Sequence, residues 1–232
     1  MTLIQTSPKS IKLWVDEPAW QPWVNTVAYY PLNSTTTVND MSGNGLNLTN
    51  TNATFGTYNG VSCVKFSWNW VLRQSTLTTQ YIWQTFTWNV WVTRGDWSAE
   101  MVIGTYNNSG TKRAIGLVLT STYIDYAIGT GGAWVDALYY TNTTSNQWYN
   151  IVITHDSSWN IKGYLNWQQV ATWTATVWEW ASNFGIWASV FKENEIYYST
   201  WTASEVIIEN KTWTADEISS YYNDTKANYW IS

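Results

Sequence analysis

Short runs in which apolar and polar residues alternate, each closed by turn-forming residues, dominate the chain. Such runs cover 27–32, 61–66, 85–93, 100–104, 114–120, 123–128, 148–154, 161–165, 168–171, 183–186 and 204–209. Strands this short, numerous and closely spaced predict an all-β fold of two packed antiparallel sheets, a sandwich or jelly roll, and exclude a parallel α/β fold. One stretch departs from the two-residue period. Thr214-Ala215-Asp216-Glu217 is a capping box that opens a single short C-terminal helix over about 215–226, with acidic residues at its positive end. Ile218, Tyr221 and Tyr222 then share one face at i, i+3, i+4 spacing and pack on the sandwich.

The four prolines, Pro8, Pro18, Pro22 and Pro31, all lie near the start. Proline is excluded from central strands, so 1–24 reads as an extended N-terminal arm and 25–232 as one compact domain. Sixteen acidic against eleven basic residues leave a net charge of −5, thinly spread. Without a basic cluster there is no footprint for nucleic acid and no polybasic patch for a membrane surface. One His and one Cys exclude structural zinc, a disulfide framework and CxxC redox chemistry. No apolar run is long enough for a membrane span, and 1–14 has no apolar stretch behind a basic end, so no export signal is expected.

Tryptophan is the anomaly: twenty occur in 232 residues. Several sit where turn chemistry expects glycine. In Tyr164-Leu165-Asn166-Trp167-Gln168-Gln169-Val170, alternating runs flank a two-residue centre, the pattern of a tight hairpin that wants φ > 0 at both central positions. Asn-Gly satisfies that demand, whereas a Cβ there costs about 1–2 kcal/mol. The same mismatch recurs at Ser158-Trp159-Asn160, at Ser67-Trp68-Asn69-Trp70 and at Arg94-Gly95-Asp96-Trp97. Two readings stand. Either these are UGA codons, which some genetic codes assign to tryptophan and others to glycine, or the surface is truly rich in indole.

Candidate chemistry is sparse. Glu205-Val206-Ile207-Ile208-Glu209 comes nearest to the alternating carboxylates of a glycoside hydrolase, but Ile207 holds the middle acidic position and the run reads as a buried strand. Asp125, Asp136, Glu179, Glu193 and Glu195 form no such pattern. His155 ends a strand while Asp156 opens the next turn, and no strained Gly-x-Ser-x-Gly elbow supplies a nucleophile for them. Cys63 alternates with Val61 and Lys65 in a β run and reads as core. Asp40, with Asn39 and Asn44 in a glycine-bearing loop, offers oxygen ligands for Ca2+, though Asx-Gly segments also make turns without metal. Trp134 after Gly131-Gly132, with Tyr139 and Tyr140, forms an aromatic cluster near a loop, suited to lying flat on sugar rings.

Val27-Ala28-Tyr29-Tyr30-Pro31-Leu32, Asn39-Asp40-Met41-Ser42-Gly43-Asn44-Gly45 and Phe86-Thr87 with Trp91-Val92 resemble the first half of a laminin-G-like, concanavalin A-like jelly roll. The second half is similar through 148–156, the hairpin Gly163-Tyr164-Leu165-Asn166, and Ser204-Glu205-Val206-Ile207-Ile208 followed by 213–218. Family members carry glycine after the hairpin Asn and near Trp68, where this chain has tryptophan; Trp91, Trp148 and Trp213 fall where the family has a large residue. The resemblance implies two curved antiparallel sheets and a non-catalytic lectin-like module attaching to a glycan or surface protein by its rim loops, with calcium in some relatives. It implies an extracellular, cell-surface or virion location. A viral structural or adhesion protein, forming a homo-oligomer through the N-terminal arm, is the alternative, and a glycoside hydrolase on the same fold is a third. Fold alone does not choose among them.

Overall fold

A computed structural model describes residues 24–33, 38–67, 71–74, 85–95, 99–106, 115–129, 134–175, 183–187, 191–192, 195–196 and 200–229. The expected N-terminal arm, apart from Val24, lies outside these residues, as do Trp68 and Trp97. The strands are β1 (Thr26–Tyr30), β2 (Thr49–Thr51), β3 (Thr54–Tyr58), β4 (Val61–Ser67), β5 (Val71–Gln74), β6 (Phe86–Thr93), β7 (Ala99–Tyr106), β8 (Ile115–Thr120) and β9 (Tyr123–Gly129). They continue with β10 (Trp134–Tyr140), β11 (Trp148–His155), β12 (Asn160–Leu165), β13 (Gln168–Thr174), β14 (Asn183–Trp187), β15 (Phe191–Lys192), β16 (Glu195–Ile196) and β17 (Thr200–Glu209). Helix α1 (Ala215–Thr225) and a 3-10 turn (Lys226–Tyr229) follow.

The strands build an antiparallel β-sandwich of jelly-roll type with one short C-terminal helix, as the alternating pattern predicts. One sheet runs β13-β12-β11-β6-β17-β4-β3, and its partner runs β10-β9-β8-β7-β14-β5-β2. β1 completes the first sheet by pairing with β17 at 206–209, while β4 pairs with the same strand at 200–203. A bulge between Ala203 and Glu205 separates the two halves of β17. β15 and β16 form a separate two-stranded ladder.

Between the sheets lies an apolar core in which Trp88 and Val90 of β6 and Ile151 and Ile153 of β11 meet Leu72, Leu117, Tyr126 and Phe184 from the facing sheet. Trp88 packs edge-on against Phe184 at 5.5 Å, and Tyr30 stacks on Phe184 at 6.1 Å. The outer face of the first sheet is covered as well. Trp91, Val152, Tyr164 and Ile207 pack under Trp213, Ile218, Tyr221 and Tyr222, so α1 presents to the sheet the face its spacing predicted. Every residue of β6 and β11 is therefore buried.

The capping box forms as read: Thr214 Oγ1 accepts from the Glu217 amide and the Glu217 carboxylate accepts from the Thr214 amide. Strands β2, β3, β5, β10, β15 and β16 were not expected. β2 is exposed throughout, and β3 carries Thr and Gly at exposed positions, so neither leaves an apolar stripe to read. Trp134, Tyr139 and Tyr140, expected near a loop, lie on β10, an edge strand that Trp134 opens and Tyr140 closes. Among the described residues no helix is long and apolar enough to cross a membrane.

The two sheets touch where Tyr126 of β9 crosses Gly163 of β12. A Cβ built on Gly163 would stand 2.7 Å from the Tyr126 ring. The Tyr126 hydroxyl donates to the Tyr164 carbonyl at 2.8 Å, so the missing side chain lets a phenol reach the opposite backbone. Gly163→Val should lower stability by about 1–3 kcal/mol through overpacking, measured as a fall in the urea midpoint. An unchanged midpoint would show that the ring moves freely aside.

Candidate ligand-binding face

The carboxylates nearest to a hydrolase pattern serve the docking of the helix. Glu205 and Glu209 lie on the outer face of β17, opposite Trp91 and Thr87 of β6. Tyr221 of α1 donates to Glu205 and accepts from Trp91 Nε1 at 3.1 Å, and the Tyr29 hydroxyl also bonds to Glu205. Trp213 Nε1 donates to Glu209, and Thr26 Oγ1 donates to its other oxygen at 3.2 Å. Burial pushes the Glu205 carboxyl up, only partly offset by the hydroxyls of Tyr221 and Tyr29. Burial and the adjoining Glu205 raise the Tyr29 and Tyr221 phenols in turn. Both carboxylates are thus engaged by side chains of the helix, of the segment before it and of β1.

His155 and Asp156 part as expected. His155 is buried and stacks on Phe86 at 5.1 Å, and its carbonyl accepts from Thr212. Asp156 turns outward and accepts from the amides of Ser158 and Asn160 and from the Asn160 side chain. Slight burial works against ionisation there, but those donors outweigh it and hold the carboxyl below its usual value. Cys63 is buried in the cluster under the helix, and burial pushes its thiol up.

The residues proposed for calcium organise a loop. Asp40 Oδ1 accepts from the amides of Tyr29 and Ser42 at 3.0 and 2.9 Å, and Oδ2 from Ser42 Oγ and the Leu46 amide at 2.8 and 3.0 Å. Four donors converge on one carboxylate, which ties β1 to the 41–46 loop. Asn44 donates to the Thr26 and Val27 carbonyls, each at 3.0 Å, and Asn39 is exposed. A cation would have to displace those N–H groups to reach Asp40. Among the described residues no group of three or more His, Cys, Asp or Glu is placed to hold a metal ion.

The aromatic cluster divides. Tyr139 packs against the core, whereas Tyr140 is 72% exposed, because neighbouring residues of a strand face opposite ways. Trp134 pairs with Gly129 at the other end of β10. Tyr140 instead meets Tyr123, its cross-strand partner on β9, with ring centroids 6.0 Å apart and edge to face. Ile124 and Tyr126 point into the core, so Tyr123 and Asp125 alternate outward with Tyr140. Tyr123, Tyr140 and Asp125 thus form an outward face at the rim of the second sheet.

That rim is held firmly. Thr120 Oγ1 accepts from the Tyr123 amide and donates to its carbonyl, both at 2.8 Å, and the Thr141 amide donates to the Thr122 carbonyl at 2.9 Å. Buried Arg94 donates to the Thr143 carbonyl and to Ser145 Oγ, anchoring the segment after Tyr140. Sequence reading missed Tyr123 and took Asp125 for a lone charge. Treating Gly131-Gly132 as a hairpin turn would have set Tyr123 opposite Tyr140.

Three titrating carboxyls and one loop can be tested. Uncharged Glu205 contributes stability that is complete below the ordinary glutamate pKa and is lost as pH rises through its raised value. Glu205→Gln should flatten that fall, and urea midpoints across about pH 4 to 8 would read it. Asp156 and Glu217 work in the opposite sense, since their lowered carboxyls contribute stability that is lost as pH falls through those lowered values. Asp40→Ala should cost about 1–3 kcal/mol by stranding its donors, equally in calcium and in chelator. A calcium-dependent melting temperature of the unaltered protein would instead make Asp40 a metal ligand.

No protein-family model matches the chain, and no match was found among curated proteins. Solved structures do resemble it. One concerns botulinum neurotoxin type C, whose cell entry is described as dependent upon interaction with two ganglioside molecules; it matches with a TM-score of 0.68 and 11% identity over 86% of this chain and 51% of that one. The binding domain of botulinum neurotoxin DC in complex with SialylT matches at 0.67 with 13% identity over 87% and 52% of the two chains. The same domain with rat synaptotagmin II matches at 0.67 and 13% over 86% and 52%. The chain spans about half the length of these solved chains, and at such identity the likeness establishes a shared jelly-roll sandwich.

Proposed function

We propose that this chain is a non-catalytic, laminin-G-like binding module that holds a glycan on the β9–β10 rim, at the surface of a cell or virion. The observation that carries the reading is Tyr140, exposed to 72% yet fixed edge-on against Tyr123, on the same face as Asp125. A pyranose has one face rich in C–H groups and a periphery of hydroxyls. The first stacks on the Tyr140 phenol ring, and the second meets the polar edge of that face, where Asp125 is half-buried with its Oδ1 enclosed. A rigid platform loses little entropy on binding, and the Thr120 turn and the Arg94 anchor provide that rigidity.

Two further observations support the reading. Among proteins of the same fold, botulinum neurotoxin type C depends for cell entry on interaction with two ganglioside molecules and the neurotoxin DC binding domain forms a complex with synaptotagmin II, which supports a glycan or protein partner. The carboxylates that a hydrolase would need are taken up in helix docking. An array of neutral and sialylated oligosaccharides should retain the protein. Tyr140→Ala should weaken that binding at least about tenfold while leaving the melting temperature unchanged, and Tyr140→Phe should keep most of it. Absence of any retained glycan, or full binding by Tyr140→Ala, would refute the assignment.

A further inference from the structure

We infer that residues 159 and 167 are glycine in the protein as its own source translates it, the codon read here as tryptophan being a glycine codon there. This does not rest on the proposed function. Two hairpins of the chain act as mutual controls. β3 and β4 close a two-residue turn between Tyr58 and Val61, with Asn59 at φ 49 and Gly60 at φ 77. β12 and β13 close the same turn between Leu165 and Gln168, with Asn166 at φ 48 and Trp167 at φ 70. The φ angles match closely position by position; of the two turn residues only the second differs. That geometry is the one for which Asn-Gly is the preferred pair.

A second turn of another type makes the same demand. The Trp159 amide donates to the Asp156 carbonyl at 3.0 Å, the Asp156 amide donates to the Asn160 carbonyl at 3.0 Å, and Trp159 takes φ 66 between them. This is the left-handed residue that follows the turn in a longer hairpin loop, again a glycine position. Four of the other five non-glycine residues with positive φ among those described are asparagines, the type that tolerates it; Leu32 is the exception. A bulky aromatic in this region is a steric outlier, and here it happens twice.

Other tryptophans are used as tryptophans. Trp91 and Trp213 lie in extended or linking backbone, are buried, and donate their indole N–H to Tyr221 and Glu209. Trp167 is 44% exposed at a hairpin tip. Trp159 meets His155 edge-on at 5.5 Å, a contact that does not need a left-handed backbone. Selection for aromatic surface would place indoles where their backbone is relaxed, whereas reassignment of one codon puts them wherever glycine belongs. The inference has a consequence for the rim: the β11–β12 and β12–β13 turns carry no indole, and among the described residues Tyr140 on the other sheet is left as the exposed aromatic.

The gene and the native peptide decide it. Nucleotide sequencing should show UGA at 159 and 167 and UGG at 91 and 213. Tandem mass spectrometry of source protein should show both turn residues lighter by the difference between an indolylmethyl group and a hydrogen. UGG, or tryptophan in the peptide, at either turn position overturns the inference. In recombinant protein, Trp167→Gly and Trp159→Gly should each move the unfolding equilibrium about tenfold toward the folded state, and Gly60→Trp about as far the other way. A loss of stability on Trp167→Gly would count against it.

Discussion

A sheet covered on both faces must satisfy its polar side chains without water, and that requirement governs how β6, β11 and β17 are built. Across the face under α1 the three strands align Trp91 with Asn150 and Glu205, and Thr87 with Thr154 and Glu209. Asn150 donates to Asn89 at 2.7 Å, Thr87 donates to the Lys211 carbonyl at 2.7 Å, and the Trp213 amide donates to Thr87 at 2.8 Å. These groups are answered by a neighbouring strand or by the segment leading into the helix, whereas Trp148 Nε1 and Asn150 Oδ1 are enclosed on the same face without a hydrogen-bond partner. The helix is thus more than an apolar lid. Through Tyr221 it supplies a donor to Glu205, while Glu209 is held by Trp213 of the segment before the helix and by Thr26 of β1, so removing helix and segment together would strip donors from both carboxyl groups.

This arrangement also explains where the ligand face can be. With one sheet closed by the helix and the space between the sheets filled, the outer face of the second sheet is the broad surface left open among the described elements. Tyr123, Tyr140 and Asp125 lie there, at a rim secured by Thr120 and Arg94. Function placed on such a rim leaves the core free to be dense, as Tyr126 against Gly163 demonstrates.

Much of the architecture was legible because two physical signals were strong: the alternation of apolar residues in strands with one wet face, and the Thr214–Glu217 cap. Where those signals weaken, so does the reading. β2 and β3 are Thr- and Asn-rich edges whose pairing is set by neighbours and not by any buried stripe. The site was half legible. Tyr140 could be named from composition, but its division from Tyr139 depends on strand register, and its partner Tyr123 lies across a hairpin. Asp40 was singled out for the right reason, an oxygen-rich loop, yet its oxygens face four donors of the same loop and of β1. Spacing reveals which atoms are close, and only geometry reveals what they already hold.

The pairing of β6 has a kinetic side. Its two neighbours are distant in sequence: Thr93 bonds to Thr202 across 109 residues, and Asn89 to Asn150 across 61. During synthesis this central strand emerges long before either partner, with apolar side chains on both faces and both edges open. Closing such remote contacts is entropically slow, and the strand stays exposed until β17 and the helix arrive. Folding of this sandwich is therefore gated by β17 and the helix, and a chain halted before β17 would present the open edge of β6 to the first partner that could add to it.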